Sequence, residues 1–223
     1  MAAWKDWAIS PFALTGEAEP GVAAMPAMLR RRAGFLGKMA LEVAYQCLDG
    51  RSDIPTVFCS RHGEVARAVD LLTELMQDAT VSPTGFGLAV HNASAGLFSI
   101  ARKDRANHIA LAGGKSTIEH AVIEACGLLA DGAPMVMLVA YDHPLPEVFA
   151  AFQDCDEQAY AFAWLMVPAR ENAIHLEWDE AGEAEVNPGG MSGGLEVLRF
   201  QLREQRQMQR VAGKRRWLWS RHV

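Results

Sequence analysis

Between Ile109 and Ala140 the chain runs through an apolar stretch (Ile109-Ala110-Leu111-Ala112), a Gly113-Gly114 turn, a helical segment from Ser116 to Ala130 and a second apolar stretch from Met135. Strand, turn, helix and strand in that order make a βαβ-like unit, and they restrict the chain to α/β folds. The helix opens on Ser116 and Thr117 with Glu119 in its first turn, which suits capping and the helix dipole.

The flanks extend the same alternation. Met25 to Cys47 carries Leu29, Phe35, Leu36, Met39, Leu41, Val43 and Ala44 at near-helical spacing and reads as one core-facing helix. Its Arg30-Arg31-Arg32 cluster is either a basic helix-opening turn or a solvated face. Asp53 to Ser60 is a short β-rich run, and Gly63 to Gln77 an amphipathic helix carrying Val65, Val69, Leu72 and Met76. Trp4 to Glu19 reads as irregular. Tyr160 to Val167 and Ile174 to Trp178 read as two strands of a hairpin, Gly182 to Gly194 as a flexible loop, and Leu195 to Val211 as a final helix.

Half of the 223 residues are apolar and 22% are charged, which describes one ordinary domain able to bury a core. The net charge of −6 is unevenly placed. From Arg199 onward eight Lys or Arg stand against the single Glu204, so the tail carries +7 and the remainder −13. Cys47, Cys59, Cys126 and Cys155 are widely spaced without a Cys-Xaa-Xaa-Cys pair, which fits reduced thiols in a cytoplasmic protein better than disulfides or zinc. No metal site and no cofactor is expected. The apolar runs are too short to span a bilayer, and the N-terminus does not read as a signal peptide.

Ser82-Pro83-Thr84 and Val90-His91-Asn92-Ala93-Ser94-Ala95-Gly96-Leu97-Phe98-Ser99-Ile100 resemble the Ser-Pro and Val-Asn-Xaa-Xaa-Ala-Gly-Xaa-Xaa-Ser-Ile segment of β-ketoacyl synthases. Residues from Met25 to Pro146 as a whole resemble the N-terminal half of that family. The resemblance implies a thiolase-like half with αβα layers and a mixed five-stranded sheet, forming a single domain over residues 1–223 with a basic helix or tail from about residue 195. The companion half of the fold, which in the family brings two histidines in His-Gly-Thr and Gly-His-Xaa-Lys style motifs, is not expected here; neither motif follows Pro144. Counting forward from the matched segment, Lys115 occupies the place of the family's cysteine nucleophile, and an amine there cannot form the thioester that condensation needs.

The chain is therefore expected to be a non-catalytic, chain-length-factor-like subunit of the kind found with aryl polyene and type II polyketide-like pathways. The resemblance implies pairing with a full-length ketosynthase through the strand Asn107 to Ala112, including Ile109 and Leu111, and a homodimer is possible in the partner's absence. Thr84, Phe86, Leu88, His91 and Phe98 are the candidates for setting the depth of the partner's acyl tunnel. Asn92 and Gly96 are expected to fix a tight turn and close helix packing. Arg210, Lys214, Arg215 and Arg216 in the basic tail are candidates for docking an acidic acyl carrier protein.

Competing readings remain open at this point. Gly114-Lys115-Ser116 followed by a helix mimics the end of a phosphate-binding loop, with Asp142 in the place of the magnesium-holding acid. The pattern, however, has Ile109 where its first glycine belongs. Lys115 could be a desolvated amine nucleophile in a ketosynthase-like acyltransferase, or a charge that blocks the pocket or reaches the partner. Cys59 and His62 could form a dyad, although the segment resembles a structural Ser-Arg-Xaa-Gly-Glu turn of the family. Trp217 and Trp219 among basic residues could stack on nucleic acid or pack on the body; no nucleic-acid partner is expected.

Overall fold

The computed structural model describes residues 2–12, 18–171, 173–182 and 190–221. Eight helices and seven strands are described: α1 Ala2–Ile9, α2 Ala27–Arg30, α3 Phe35–Leu48, β1 Thr56–Cys59, α4 Val65–Asp78, α5 Pro83–Leu88, α6 Ala93–Arg102, β2 His108–Leu111, α7 Thr117–Ala130, β3 Val136–Asp142, β4 Tyr160–Met166, β5 Ile174–Glu180, α8 Gly193–Leu202, β6 Gln207–Ala212 and β7 Arg215–Arg221. Among the described residues no helix is long and apolar enough to cross a membrane.

The first sheet has the order β2-β1-β3-β4. β1 runs parallel to β2 and β3, with Val57 opposite Ile109 and Leu138, and β4 closes the other edge antiparallel to β3. This mixed sheet is the thiolase-like α/β half expected from the sequence, with four strands rather than five. Both faces are covered. Alternate residues of β3 divide between two cores: Val136, Leu138 and Ala140 join Ile118, Ala121 and Ala125 of α7 and Leu195 and Leu198 of α8, while Met137, Val139 and Tyr141 join Leu36, Ala40 and Leu41 of α3 and Leu97 and Phe98 of α6. Unbroken apolar runs in β1 and β3 follow from this two-sided burial.

A second, antiparallel sheet of order β5-β7-β6 lies beyond α7 and α8 and sends Trp219, Leu176 and Met208 into the first of these cores. It corrects two expectations. β4 and β5 do not form a hairpin with each other: β4 pairs with β3, and β5 pairs with β7. The basic tail is likewise no continuation of a helix. α8 ends at Leu202, and the chain returns as the hairpin β6–β7, turning at Gly213, whose φ of +62° suits glycine. The reason lies in alternation. Trp217 and Trp219 point to one face and are fully buried, a period of two that a helix cannot satisfy.

Smaller differences have local causes. The segment from Met25 to Cys47 is two helices because Gly34 is extended at φ −73°, ψ 178°, and the Arg67 guanidinium lies where a larger side chain would project from it. The opening segment is helical, with Trp7 buried and the Ala8 carbonyl accepting from Arg199 Nε at 2.9 Å. The expected loop from Gly182 to Gly194 falls largely on residues 183–189, which lie outside the described residues. α5 begins as its sequence suggests, with Pro83 in the first turn and Ser82 Oγ accepting from Gly85 N–H at 3.2 Å.

Candidate functional site

β1 and β2 run parallel and deliver Cys59 and Leu111 side by side at their carboxyl ends. After Leu111 the chain turns through Gly113 and a 3₁₀ turn, Gly114–Ser116, directly into α7. Lys115 therefore stands on a strand–turn–helix elbow at the rim of the sheet. The elbow is held from inside. Thr117 Oγ1 accepts from Gly113 N–H at 3.0 Å and donates to the Gly114 carbonyl at 2.7 Å. Ser116 makes no cap bond to α7; its hydroxyl accepts the indole N–H of Trp217 at 3.0 Å.

Lys115 Nζ lies 3.5 Å from Asp154 Oδ2, and Arg61 Nη2 lies 2.6 Å from the other oxygen of the same carboxylate. Burial alone would push the Asp154 carboxyl up, but the bonds and charges of Arg61 and Lys115 prevail and hold it below its ordinary value. Below the elbow, Glu119 is fully buried and its Oε1 pairs with Arg210 Nη1 at 2.7 Å. The same guanidinium donates to the Lys115 carbonyl at 3.1 Å and through Nε to Glu196 at 2.7 Å. Burial pushes the Glu119 carboxyl up against the pull of Arg210, while the two carboxylates outweigh the burial of Arg210 and keep it cationic.

The space outside the elbow is a polar cleft of about 350 Å³, with Arg61, Lys115, Asp154, Glu196 and Arg210 among its lining residues. The space behind it, between Cys59, Lys115, Ile118, Asp142 and Tyr160, measures only about 10 Å³. That is at the lower limit for a single water, so no acyl group fits behind Lys115 without rearrangement. Tyr160 contributes to this closure: a Cβ at Gly194 would come within 2.1 Å of its hydroxyl, so α8 approaches this closely only because Gly194 has no side chain.

These contacts remove several readings. A phosphate-binding loop at Gly114-Lys115-Ser116 finds no support. Its serine hydroxyl is engaged by Trp217, and buried Asp142 already accepts from Ser60 Oγ and Arg61 N–H, each at 2.8 Å, and from the Tyr160 hydroxyl at 3.0 Å. The turn after Cys59 is structural: Ser60 Oγ accepts from Gly63 N–H at 2.8 Å, Gly63 sits at φ +56° against the His91 ring, and His62 faces Glu157 at 3.2 Å. Burial pushes the Cys59 thiol well up, the opposite of what a nucleophile needs. Trp217 and Trp219 are core residues and present no face for stacking on a base.

The other sequence candidates are spread over three places. Thr84 and Phe86 are exposed on α5, Leu88 at its end and His91 after it are half-buried, and Asn92 is exposed at the start of α6. Phe98 is turned inward, 5.0 Å from the Tyr45 ring and 5.8 Å from that of Phe58. Gly96 has open space where a Cβ would stand, so close helix packing does not explain it. Asn107 is exposed before β2, and Ile109 and Leu111 are half-buried on that strand, which is an edge of the sheet. Of the basic quartet, Arg210 is withdrawn into ion pairs with Glu119 and Glu196. Lys214 and Arg215 remain exposed, and Arg216 pairs with Asp179 at 3.0 Å. Sequence reasoning missed Asp154, Arg61 and Arg210 as neighbours of Lys115, because 39 to 95 positions separate them along the chain.

A three-layered αβα half whose parallel strand runs through a glycine elbow into a buried helix is the architecture of thiolase-like condensing enzymes and their relatives. The chain belongs to the β-ketoacyl synthase family: the profile of the β-ketoacyl synthase N-terminal domain matches residues 4–220. Its fold is similar to that of a chain in the complex of the ketosynthase ApeO with its chain length factor ApeC from Xenorhabdus doucetiae, at 24% identity and TM-score 0.85 over 99% of this chain and 92% of that one. It is also similar to a chain of a complex between a type II polyketide acyl carrier protein and its ketosynthase, AntDE:AntF, at 12% identity and TM-score 0.69 over 100% and 94% of the two chains. A β-ketoacyl synthase from Burkholderia phymatum STM815 aligns at 13% identity and TM-score 0.57, with 88% of this chain matched to 60% of that one. Comparison with curated proteins gives no match.

Proposed function

We propose that this chain is a non-catalytic, chain-length-factor-like subunit that pairs with an active full-length β-ketoacyl synthase in the cytoplasm and shapes its acyl tunnel. One observation supports the reading: Lys115, which the resemblance sets in place of the family's nucleophile, has its ammonium paired with Asp154, and the space behind it measures about 10 Å³. An amine tied to a carboxylate is a poor nucleophile, and a thioester has no room there. Condensation would be the partner's work, and this chain would act by steric means. Thr84, Phe86, Leu88 and His91 on and after α5 would face the growing chain, with β2 joining the partner's sheet from Asn107 through Ile109 to Leu111. An edge strand left unpaired is a hazard that such a joint removes. Lys214, Arg215 and Arg216 would attract an acidic acyl carrier protein, with Arg210 excluded by its burial.

The test is co-expression with the full-length ketosynthase of the same organism. The pair should co-purify as a stoichiometric heterodimer, and Phe86→Ala should lengthen the products while leaving turnover intact. Unchanged products from Phe86→Ala would remove the tunnel role. Lost turnover in Lys115→Ala would return a chemical one.

A further inference from the structure

β4 and β5 are each the last strand of a sheet, and no described strand joins them. Between these two strands and the second half of α7 lies a cavity of about 880 Å³. Its walls are apolar: Ile123 and Leu129 from α7, Trp164 and Met166 from β4, Leu176 and Trp178 from β5. The floor is firm, since Leu129, Trp164, Met166 and Leu176 pack on the first core. Alternation along β5 turns Ile174, Leu176 and Trp178 to one face, yet Ile174 stays 41% and Trp178 53% exposed. A concave apolar space of this size lies in the range that holds a small molecule.

One polar group in the cavity selects the ligand. Arg221 lines it from β7, opposite Ile174, and Trp178 stands four residues further along β5, about 13 Å away at the rise of a strand. Its Nη2 donates to Gln201 Oε1 at 2.8 Å, which fixes the guanidinium, while its Nε is buried without a partner. The only other side-chain contact described for it is the Phe200 ring, 5.8 Å from Cζ, so its charge meets no described carboxylate. The carboxylate that does line the cavity, Glu171, is exposed at the rim beside Arg170. A cation short of an acceptor at one end of an apolar trough selects a chain-like ligand with an anionic head. We propose that this cavity binds a free aliphatic carboxylate of the fatty-acid type, its head on Arg221 and its tail along β5 towards Trp178. The site is separate from the elbow, from α5 and from the β2 edge, so it does not depend on the heterodimer reading.

The probe is cis-parinaric acid, a conjugated tetraene carboxylate that fluoresces on leaving water, titrated into the purified chain and displaced by saturated acids and alcohols of equal length. Affinity should rise about three- to fourfold per added methylene until the cavity is full. An acid should displace the probe about tenfold better than its alcohol. Arg221→Gln should abolish that preference and leave alcohol binding as it was. Ile123→Trp, which fills the cavity from an exposed position, should abolish binding of both with the thermal midpoint retained. Glu177→Gln, on the opposite face of β5, should change nothing. Cys126 supplies a local readout, being exposed on the α7 wall. Its alkylation by a maleimide, followed by peptide mass, should slow when the acid is bound, while Cys47 and Cys155 react as before. Probe binding that leaves Cys126 unprotected would place the ligand elsewhere, and equal affinity for acid and alcohol would remove Arg221 as the head-group site. Absence of binding by any acid would overturn the proposal. So would protection of Cys126 by the ketosynthase alone, which would make the cavity a protein interface.

Discussion

Around Lys115 each of three cations has a carboxylate: Lys115 and Arg61 share Asp154, and Arg210 holds Glu119 and Glu196. Along α4 and α5 the reverse holds, because Leu72, Leu75, Met76 and Phe86 face water and only Leu71 of α4 is buried. In the first region the charges are paired within the chain, and in the second apolar side chains are left in water. In a condensing enzyme the elbow would be the region kept open. Here the uncovered apolar side chains lie instead on the outer surface, at α4 and α5.

The contrast breaks most readily at Arg210. Replacing it with Ala leaves Glu119 buried without its partner, and chemical denaturation should show a loss of about 3–5 kcal/mol. The double variant Arg210→Met, Glu119→Leu should recover most of that loss, because an apolar pair of similar volume avoids the desolvation penalty. A small loss in the single variant would mean that the elbow is not locked from below.

Gly194→Ala tests the closure behind Lys115. The new methyl group would collide with the Tyr160 ring and hydroxyl, and overpacking of this kind costs about 1–3 kcal/mol. Unchanged stability would show that Tyr160 has room to move and that the space can open.

A third prediction concerns pH. Burial lifts the Glu64 carboxyl above its ordinary value against the weaker pull of Arg67. A raised carboxyl binds its proton more tightly in the folded state, so its contribution is present below the unfolded pKa and is lost as pH rises through the folded one. Glu64→Gln should therefore flatten the fall in stability across that window, as followed by thermal midpoints from acid to neutral pH. An unchanged slope would place the carboxyl in water.

The smallest effects belong to the surface. Phe86→Ala and Lys115→Ala should each move stability by no more than about 0.5–1 kcal/mol, the first as an exposed side chain and the second as one arm of a half-exposed ion pair. A larger loss at Phe86 would mean that α5 is already packed and needs no partner.

How far the sequence reached divides along the same lines. The βαβ unit was readable because it rests on neighbouring residues, and the exposed edge at β2 was implied by the family resemblance. Lys115 stood out against a matched segment. Its partners did not, since Asp154 comes from the loop before β4 and Arg210 from β6, and no local pattern ties them to the elbow. The tail was misread for a related reason. Leu195, Val197, Leu198 and Phe200 establish α8, and the polar run after Leu202 gives no stop as visible as a proline, whereas the alternation of Trp217 and Trp219 acquires its meaning only once β7 has β5 and β6 on either side. The stripe on α4 was legible as amphipathic, but whether its apolar side faces inward or outward depends on the whole fold.

The most direct measurement is intact-protein mass spectrometry of the purified chain, alone, after incubation with an acyl-loaded carrier protein and malonyl-loaded carrier. No mass increase on the chain and no elongated acyl product is expected; when the ketosynthase is added, the acyl adduct should appear on that subunit and the elongated β-ketoacyl product on the carrier protein. An acyl adduct on Lys115, or a new carbon–carbon bond made by the chain alone, would contradict the account.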